Sequence, residues 1–185
     1  MAGAAVTALV ALLRAVNVGG TGIIRMTDLK ATCESLGFRD VTTVLQSGNV
    51  VFRASGSDRT VAKKLADAIE ANHSFRPAIM VRTAEEIAAA MAANPFKAEE
   101  RSDPSHLIVA FTAEPPAAGA TERIAAVKVA KERLWLGARE LYVHYAGGQG
   151  TSKITNATLE RALGTPVTAR NWNTVGKLAA LARAL

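Results

Sequence analysis

Apolar residues recur along the chain in two patterns, as short runs of strand length and as longer stretches with helical spacing. Val6 to Arg14 is an apolar run of the kind that is typical of a buried strand. After it, Leu29, Cys33 and Leu36 repeat at helical spacing before Gly37 ends the pattern. These signals predict four strands and three helices in the first half: strands at 6–14, 41–45, 50–53 and 78–82, and helices that begin at Thr27, Asp58 and Thr83.

The second half repeats this order of elements without repeating its letters. A polar, proline-flanked segment at 97–104 is predicted to link halves 1–96 and 105–185. The later elements are strands at 106–111, 133–136, 140–145 and 167–170, helices at 121–129 and 154–163, and a closing helix at 174–185. A helix that connects two parallel strands makes a right-handed connection. The third strand, which forms a hairpin with the second, then falls between the first and second strands. We therefore predict an α+β fold of two tandem split βαβ (ferredoxin-like) units, with mainly antiparallel sheets plus a C-terminal helix.

The first strand of each half is apolar on both sides, as at 8–13 and 107–111. Such a strand is expected to be buried on both faces of its sheet. The two helices of a split βαβ unit cover only one face, so something else must cover the other. The sequence leaves three candidates open: the other half, the alanine-rich helices, or a second subunit.

Composition and charge narrow the class of protein. The 185 residues are 49% hydrophobic, which is enough for a folded core. The net charge of +6 is spread along the chain and favours anionic partners only weakly. The single cysteine, Cys33, cannot form an internal disulfide, and the apolar run at 4–13 is shorter than the roughly 20 residues of a membrane span. We expect a cytoplasmic protein that does not enter a membrane.

In the first half, topology brings two polar stretches to one end of the sheet. The loop after the first strand and the turn between the second and third strands are expected to face each other about 10 Å apart. The candidate ligand-binding residues of this first rim are Arg14, Asn17, Gly19, Gly20, Gln46, Ser47 and Asn49.

The second half gathers a similar set at the opposite end of its sheet, where the glycine-rich loop 147–153 and the segment 170–174 are expected to meet. Glycines allow backbone amides to approach a phosphate, and a lysine or arginine supplies the opposite charge. Trp172 offers a face on which a base could stack. The candidate residues of this second rim are Lys153, Arg170, Asn171, Trp172, Asn173 and Lys177.

Each of these residues also has a purely structural interpretation. Ser47 to Asn49 is an ordinary tight turn, Gly19 and Gly20 satisfy a turn, and Trp172 anchors the last helix in the core. Neither a P-loop nor a dinucleotide-binding glycine pattern fits the loop at 147–153. The three histidines and one cysteine are scattered, so neither a metal nor a cofactor is expected.

Three motifs carry a resemblance to a known family. They are Leu12-Leu13-Arg14-Ala15-Val16-Asn17-Val18-Gly19-Gly20, Gln46-Ser47-Gly48-Asn49-Val50, and the stretch from Thr168 to Leu178 that contains Arg170-Asn171-Trp172-Asn173-Thr174. With them the chain resembles the bacterial family known as domain of unknown function 1697. The resemblance implies a cytoplasmic protein of two related α/β halves and no established activity. The chain departs from the family pattern at Gly147-Gly148-Gln149, where family members tend to have a Pro-Asp-Gly-like turn.

These observations favour a protein that binds a small anionic or nucleotide-like ligand, with an enzyme acting on a phosphorylated substrate as one form of this hypothesis. No catalytic residue can be named. One alternative is an RNA-binding module, although only Phe52, Phe111, Tyr142 and Tyr145 offer rings on the strands. The other alternative is a structural homo-oligomer whose apolar sheet faces form the interface.

Overall fold

A computed structural model describes residues 5–185, which form two compact units. The first unit runs to Ala88 and takes in Leu178–Leu185, and the second spans Ala89–Lys177. The elements of the first unit are β1 (Val6–Leu13), α1 (Met26–Ser35), β2 (Arg39–Val44), β3 (Asn49–Ser55), α2 (Asp58–Asn72) and β4 (Ile79–Thr83), followed by α3 (Ala84–Ala92). Those of the second unit are α4 (Lys97–Ser102), β5 (Leu107–Thr112), α5 (Ala120–Ala125), β6 (Glu132–Leu136), β7 (Glu140–Tyr145), a 3-10 turn (Gln149–Thr151), α6 (Asn156–Leu163) and β8 (Val167–Asn171), followed by α7 (Trp172–Ala184).

The two sheets share one topology. Their strand orders are β2-β3-β1-β4 and β6-β7-β5-β8, and all neighbouring strands are antiparallel. In each sheet the second strand of the hairpin, β3 or β7, lies between the two strands that the first helix connects. The predicted fold of two split βαβ units is confirmed.

One face of the first sheet packs against α1 and α2. Leu9, Ala11 and Leu13 of β1 alternate toward this core, where they meet apolar side chains such as Leu29 and Leu65. The rings of Phe38 and Phe52 stack there with their centroids 4.6 Å apart. Burial against apolar neighbours is what fixes the register of this strand, because a slip of one residue would turn the whole set outward.

The opposite faces of both sheets are buried as well. Val10, Leu12 and Met80 of the first sheet are at most 1% exposed, and Val109 and Tyr142 of the second are fully buried. The hydroxyl of Tyr142 donates a hydrogen bond of 2.6 Å to the carbonyl oxygen of Ala90, so the end of α3 lies over this face of the second sheet. Burial on both faces agrees with the apolar pattern of β1 and β5.

Several element ends differ from the sequence prediction. Ser57, rather than Asp58, caps α2 by accepting a hydrogen bond from the Thr60 amide. The helix α5 ends at Ala125 instead of 129, because the β-branched Val127 and Val129 that follow favour extended backbone. Residues 97–104, predicted as a linker, contain the helix α4. Among the described residues, no helix is long and apolar enough to cross a membrane.

Candidate functional site

The two stretches of the first rim are joined directly. The side-chain amide of Asn17 donates hydrogen bonds to the carbonyl oxygens of Gln46 (2.8 Å) and Ile24 (2.9 Å), and its oxygen accepts one from the Ile24 amide (2.9 Å). The predicted separation of about 10 Å is too large, because β1 and β3 are neighbours in the sheet. The side-chain nitrogen and oxygen of Asn17 therefore hold the loop after β1 against the turn between β2 and β3.

Asn49 and Ser47 are also engaged within the turn. Asn49 is fully buried and donates to the Val44 carbonyl (2.8 Å) and to the Ser47 hydroxyl (3.0 Å). Gly48 lies between them with its amide carbonyl accepting from the Leu13 amide at 2.8 Å. These contacts close the β2–β3 hairpin onto the end of β1.

The remaining members of the first rim lie at its surface. Gly19 and Gly20 both have positive φ angles, +62° and +77°, and occupy an exposed turn closed by the Thr21 amide on the Val18 carbonyl. Two consecutive positive φ angles are typical of a type I′ turn, which glycine adopts without strain. The amide of Arg14 donates to the Ala78 carbonyl at 2.9 Å, and its side chain is half-buried.

The second rim does not assemble as predicted, because Lys153 and Arg170 lie on opposite sides of the sheet. Val167 and Ala169 of β8 pack on the side of α5 and α6, so the alternating Thr168 and Arg170 point to the other face. There the Arg170 guanidinium donates to the Thr168 hydroxyl and the Ala169 carbonyl, both at 2.8 Å. Burial lowers the pKa of Arg170 to about 10.

The segment after β8 mainly starts the last helix. The side chain of Asn171 accepts a hydrogen bond of 2.9 Å from the Thr174 amide, and Trp172 is only 7% exposed. Asn173 and Lys177 are exposed. Trp172 thus fills a buried position in which it cannot stack on a base.

Lys153 instead lines a cationic groove between α5 and α6. We use this name for a groove of about 550 Å³ lined by Arg123, Ala126, Val127, Lys128, Lys153, Ile154, Thr158, Arg161 and Ala162. Four of these nine residues are basic and none is acidic. Three of the basic side chains, Lys128, Lys153 and Arg161, make no ion pair within residues 5–185. The size lies within the range of natural ligand pockets.

Arg123 differs from the other three cations because it also supports the fold. Its guanidinium donates to the Ala162 carbonyl at 2.7 Å and to the Ala118 carbonyl at 2.9 Å. It therefore ties α5 to the C-terminal end of α6. Its charge remains in the groove while its position is fixed.

The two loops that carry Lys128 and Lys153 are held together by Glu132. One carboxylate oxygen of Glu132 accepts from the amides of Ala130 (2.8 Å) and Lys131 (3.1 Å), and the other accepts from the Ser152 hydroxyl. Ser152 in turn accepts from the Ile154 amide at 3.0 Å. The hydrogen bond from Ser152, with the backbone amides, lowers the pKa of Glu132 to about 2.

We expect Ser152→Ala to raise the pKa of Glu132 toward its usual value of 4.5, because the variant removes the largest cause of the shift. A lowered carboxyl pKa stabilises the fold above about pH 4.5 and loses this contribution as the pH falls through about 2. Acid unfolding of the variant should therefore begin at higher pH. The measurement is a carboxyl ¹³C NMR titration, with the exposed Ser105→Ala as control. An unchanged Glu132 midpoint in Ser152→Ala would contradict the assignment.

A second polar cluster in the same unit holds α4 against the sheet. Asp103 accepts from the Nε2 atom of the buried His144 (3.0 Å) and pairs with the Nδ1 atom of His106 (2.8 Å). The His144 hydrogen bond, together with the nearby His106, lowers the pKa of Asp103. The Arg133 guanidinium lies 3.4 Å from the Nδ1 atom of His144 and pairs with Glu99. Both ring nitrogens of His144 are thus occupied, so the ring is unavailable to a ligand.

The rings that an RNA-binding sheet would expose are buried. Phe52, Phe111 and Tyr142 are fully buried, and Tyr145 is 2% exposed. Base stacking on single-stranded RNA requires accessible ring faces. These four side chains offer none.

Comparison with known proteins places the chain in a family. A family model described as a protein of unknown function, DUF1697, matches residues 6–142, which is most of the chain. The chain belongs to the DUF1697 family. The matched range of this DUF1697 protein includes Arg123 and Lys128 of the cationic groove, whereas Lys153 and Arg161 lie beyond it.

The fold of this DUF1697 protein is shared with a solved structure. The conserved bacterial protein SP0830 from Streptococcus pneumoniae is similar to it with a TM-score of 0.71 and 20% sequence identity, over 96% of this chain and 99% of that chain. This likeness shows a common fold. No curated protein shows a significant match.

Three of the four groove cations, Arg123, Lys128 and Arg161, were missed by the sequence-based prediction. The available signal was that Arg123 and Arg161 belong to the two helices that cover the same sheet face. Lys128 could not be placed, because the predicted helix extended to 129. Because α5 ends at Ala125, the loop that follows it brings Lys128 toward Lys153.

Proposed function

We propose that this protein binds a small phosphate-bearing ligand in the cationic groove. The observation that carries the proposal is the concentration of Arg123, Lys128, Lys153 and Arg161 in one groove with no acidic lining residue. Lysine and arginine side chains donate charge-assisted hydrogen bonds to phosphate oxygens, which are stronger than those between neutral groups. A small anion, including the phosphate of a nucleotide or of a phosphorylated substrate, fits this chemistry.

The apolar part of the groove favours a ligand with a carbon skeleton over inorganic phosphate alone. Val127, Ile154 and Ala162 line it beside the cations. Apolar surface removed from water on binding adds affinity in proportion to its area. We propose a cytoplasmic location, which is supported by the single cysteine: Cys33 has no second cysteine with which to form an internal disulfide, and burial raises its pKa to about 12.

The test measures binding of AMP, a sugar phosphate and inorganic phosphate by calorimetry and by NMR chemical shifts. We expect the double variant Lys153→Gln, Arg161→Gln to weaken binding of the phosphomonoesters about tenfold or more, since each cation contributes a charge-assisted contact. Arg123 is left intact because it supports the fold. The matched control is Lys64→Gln, Arg101→Gln, which removes two charges from exposed positions outside the groove.

The control variant should bind as the parent protein does. Equal weakening by both double variants would reduce the effect to net charge and overturn the proposal, as would the absence of saturable binding to every phosphate. A short single-stranded RNA in the same assay tests the alternative function. RNA binding that is tighter than that of AMP and falls steeply with added salt would favour a nucleic-acid partner instead.

A further inference from the structure

The cationic groove has two distinct ends, because α5 and α6 run antiparallel. At one end, the Ala117 amide before α5 donates to the Leu163 carbonyl at the end of α6, over 2.9 Å. At the other end, the loop after α5 and the loop before α6 meet at Glu132, whose carboxylate accepts from the Lys131 amide and the Ser152 hydroxyl. The start of each helix therefore lies beside the end of the other, with the groove between them.

The four cations divide into two pairs, one at each end of the groove. The Arg123 guanidinium donates to the Ala162 carbonyl at 2.7 Å, next to Arg161 in the last turn of α6. The side chains of Arg123 and Arg161 form what we call the arginine end. Lys128 and Lys153 belong to the two loops that meet at the opposite end, which we call the lysine end. The groove thus presents two positive charges at each end.

The two ends are separated by most of the length of α6. This helix has eight residues, which span about 12 Å at the usual helical rise. Lys153 precedes its first residue and Arg161 lies in its last turn, so the two ends are about 8–12 Å apart. Between them the lining residues Ala126, Val127 and Thr158 carry no charge. A single phosphate group is too small to bridge this distance.

The four cations are available to a ligand without loss of an existing contact. Lys128, Lys153 and Arg161 make no ion pair or side-chain hydrogen bond within residues 5–185. Arg123 holds backbone carbonyls with its Nε and Nη1 atoms, whereas its Nη2 atom donates no hydrogen bond within the described residues. A guanidinium that is already fixed loses little side-chain freedom when it binds an anion. Like charges at each end repel one another, and a bound anion offsets that repulsion.

We infer that the ligand of the cationic groove carries two phosphate groups, one at each end of a short carbon skeleton. This inference rests on the proposed function and narrows the class of ligand. A phosphomonoester carries a charge of about −1.5 to −2 at pH 7, so the two cations of each end match one such group. A carboxylate, with a single negative charge, would leave one cation of its pair unmatched. The uncharged middle of the groove takes the carbon skeleton.

Ligands with adjacent phosphates fit this arrangement poorly. In pyrophosphate and in a nucleoside diphosphate, one oxygen atom joins the two phosphorus atoms, so both phosphates crowd at one end of the groove. The pair of cations at the other end would then have no anion to bind. The distance between the two phosphates, rather than their total charge, should therefore decide the affinity.

The experiment measures the affinities of three compounds by calorimetry. They are hexanediol with a phosphate on each terminal carbon (hexanediol bisphosphate), hexyl phosphate and inorganic pyrophosphate. In hexanediol bisphosphate the whole carbon chain separates the two phosphates, which gives a length comparable to that of the groove. We expect it to bind at least about tenfold more tightly than either of the other compounds, because it alone engages both ends.

The variant Lys128→Gln, Lys153→Gln removes the lysine end and leaves the arginine end in place. It should weaken binding of hexanediol bisphosphate about tenfold but that of hexyl phosphate only about twofold, since the monophosphate has a second place to bind at the arginine end. The matched control is again Lys64→Gln, Arg101→Gln, which removes two exposed charges outside the groove. It should weaken binding of neither compound.

Three results would overturn the inference and leave the proposed function standing. The first is equal affinity of the parent chain for hexanediol bisphosphate and hexyl phosphate. The second is pyrophosphate binding as tight as that of hexanediol bisphosphate, which would make total charge decisive. The third is an equal loss of both hexyl compounds in the lysine-end variant, which would place all four cations around one phosphate. The absence of saturable binding to every compound would overturn the proposed function itself.

Discussion

Replacing Gly48 with alanine is expected to lower the free energy of unfolding by about 2–5 kcal/mol. Gly48 has a φ of +72°, where an L-residue costs about 1–2 kcal/mol. An added Cβ would also lie 2.9 Å from the Leu13 Cβ and 3.1 Å from the Val16 Cβ, and such overpacking adds about 1–3 kcal/mol. Thermal unfolding by circular dichroism should show a fall in Tm of about 4–20 °C for a chain of this size.

The control for this substitution is Gly20→Ala in the neighbouring turn. Gly20 has a similar φ of +77°, but an added Cβ would meet no atom within 4 Å. It therefore isolates the cost of the backbone conformation from that of the close approach to β1. Equal losses of stability in the two variants would show that the contact of Gly48 with Leu13 and Val16 contributes nothing.

The topology could be predicted from the sequence because each strand and each helix has its own spacing of apolar residues. The apolar run of β1, the helical spacing of Leu29 and Cys33, and the turn at 46–49 predicted the order of elements and the end of the sheet at which the loops meet. These signals are local along the chain. The pairing of β1 with β3 then follows from the handedness of the connection.

The side-chain direction in β8 could not be predicted in the same way. Arg170 and Lys153 lie at one end of the second sheet along the chain path, yet the two side chains lie on opposite faces. The face of Arg170 depends on the register of β8 against β5, where it pairs with Val109. A shift of one residue would reverse it, and the short strand 167–170 carries too few apolar positions to fix that register from sequence.

The segment 97–104 shows a second kind of limit. Its charges are typical of a solvated linker, and the residues that hold it are distant in sequence. Asp103 bonds to His144, 41 residues away, and Glu99 pairs with Arg133, 34 residues away. Neither partnership leaves a local pattern, so only the folded sheet reveals why this segment is helical and attached.

Replacing Asn17 with alanine is expected to lower the free energy of unfolding by about 3–4 kcal/mol. The side chain makes three hydrogen bonds to the backbone of Ile24 and Gln46, each contributing about 1 kcal/mol. Asn17 also has a φ of +55°, which asparagine tolerates better than alanine, and this adds about 1 kcal/mol. The measurement is urea unfolding of the variant and the parent chain, which reports the free energy directly.

The variant Asn17→Gly separates the two contributions, because glycine adopts a positive φ without strain. It should lose the three hydrogen bonds but recover the conformational cost, and so lie about 1 kcal/mol above Asn17→Ala in stability. The outcome also decides the role of the first rim. If Asn17→Ala has a lower free energy of unfolding than the parent chain, while phosphate binding in the second unit is unchanged, Asn17 supports the fold. Parent-like stability together with lost ligand binding would instead make it the ligand-contacting residue that its sequence motif suggests.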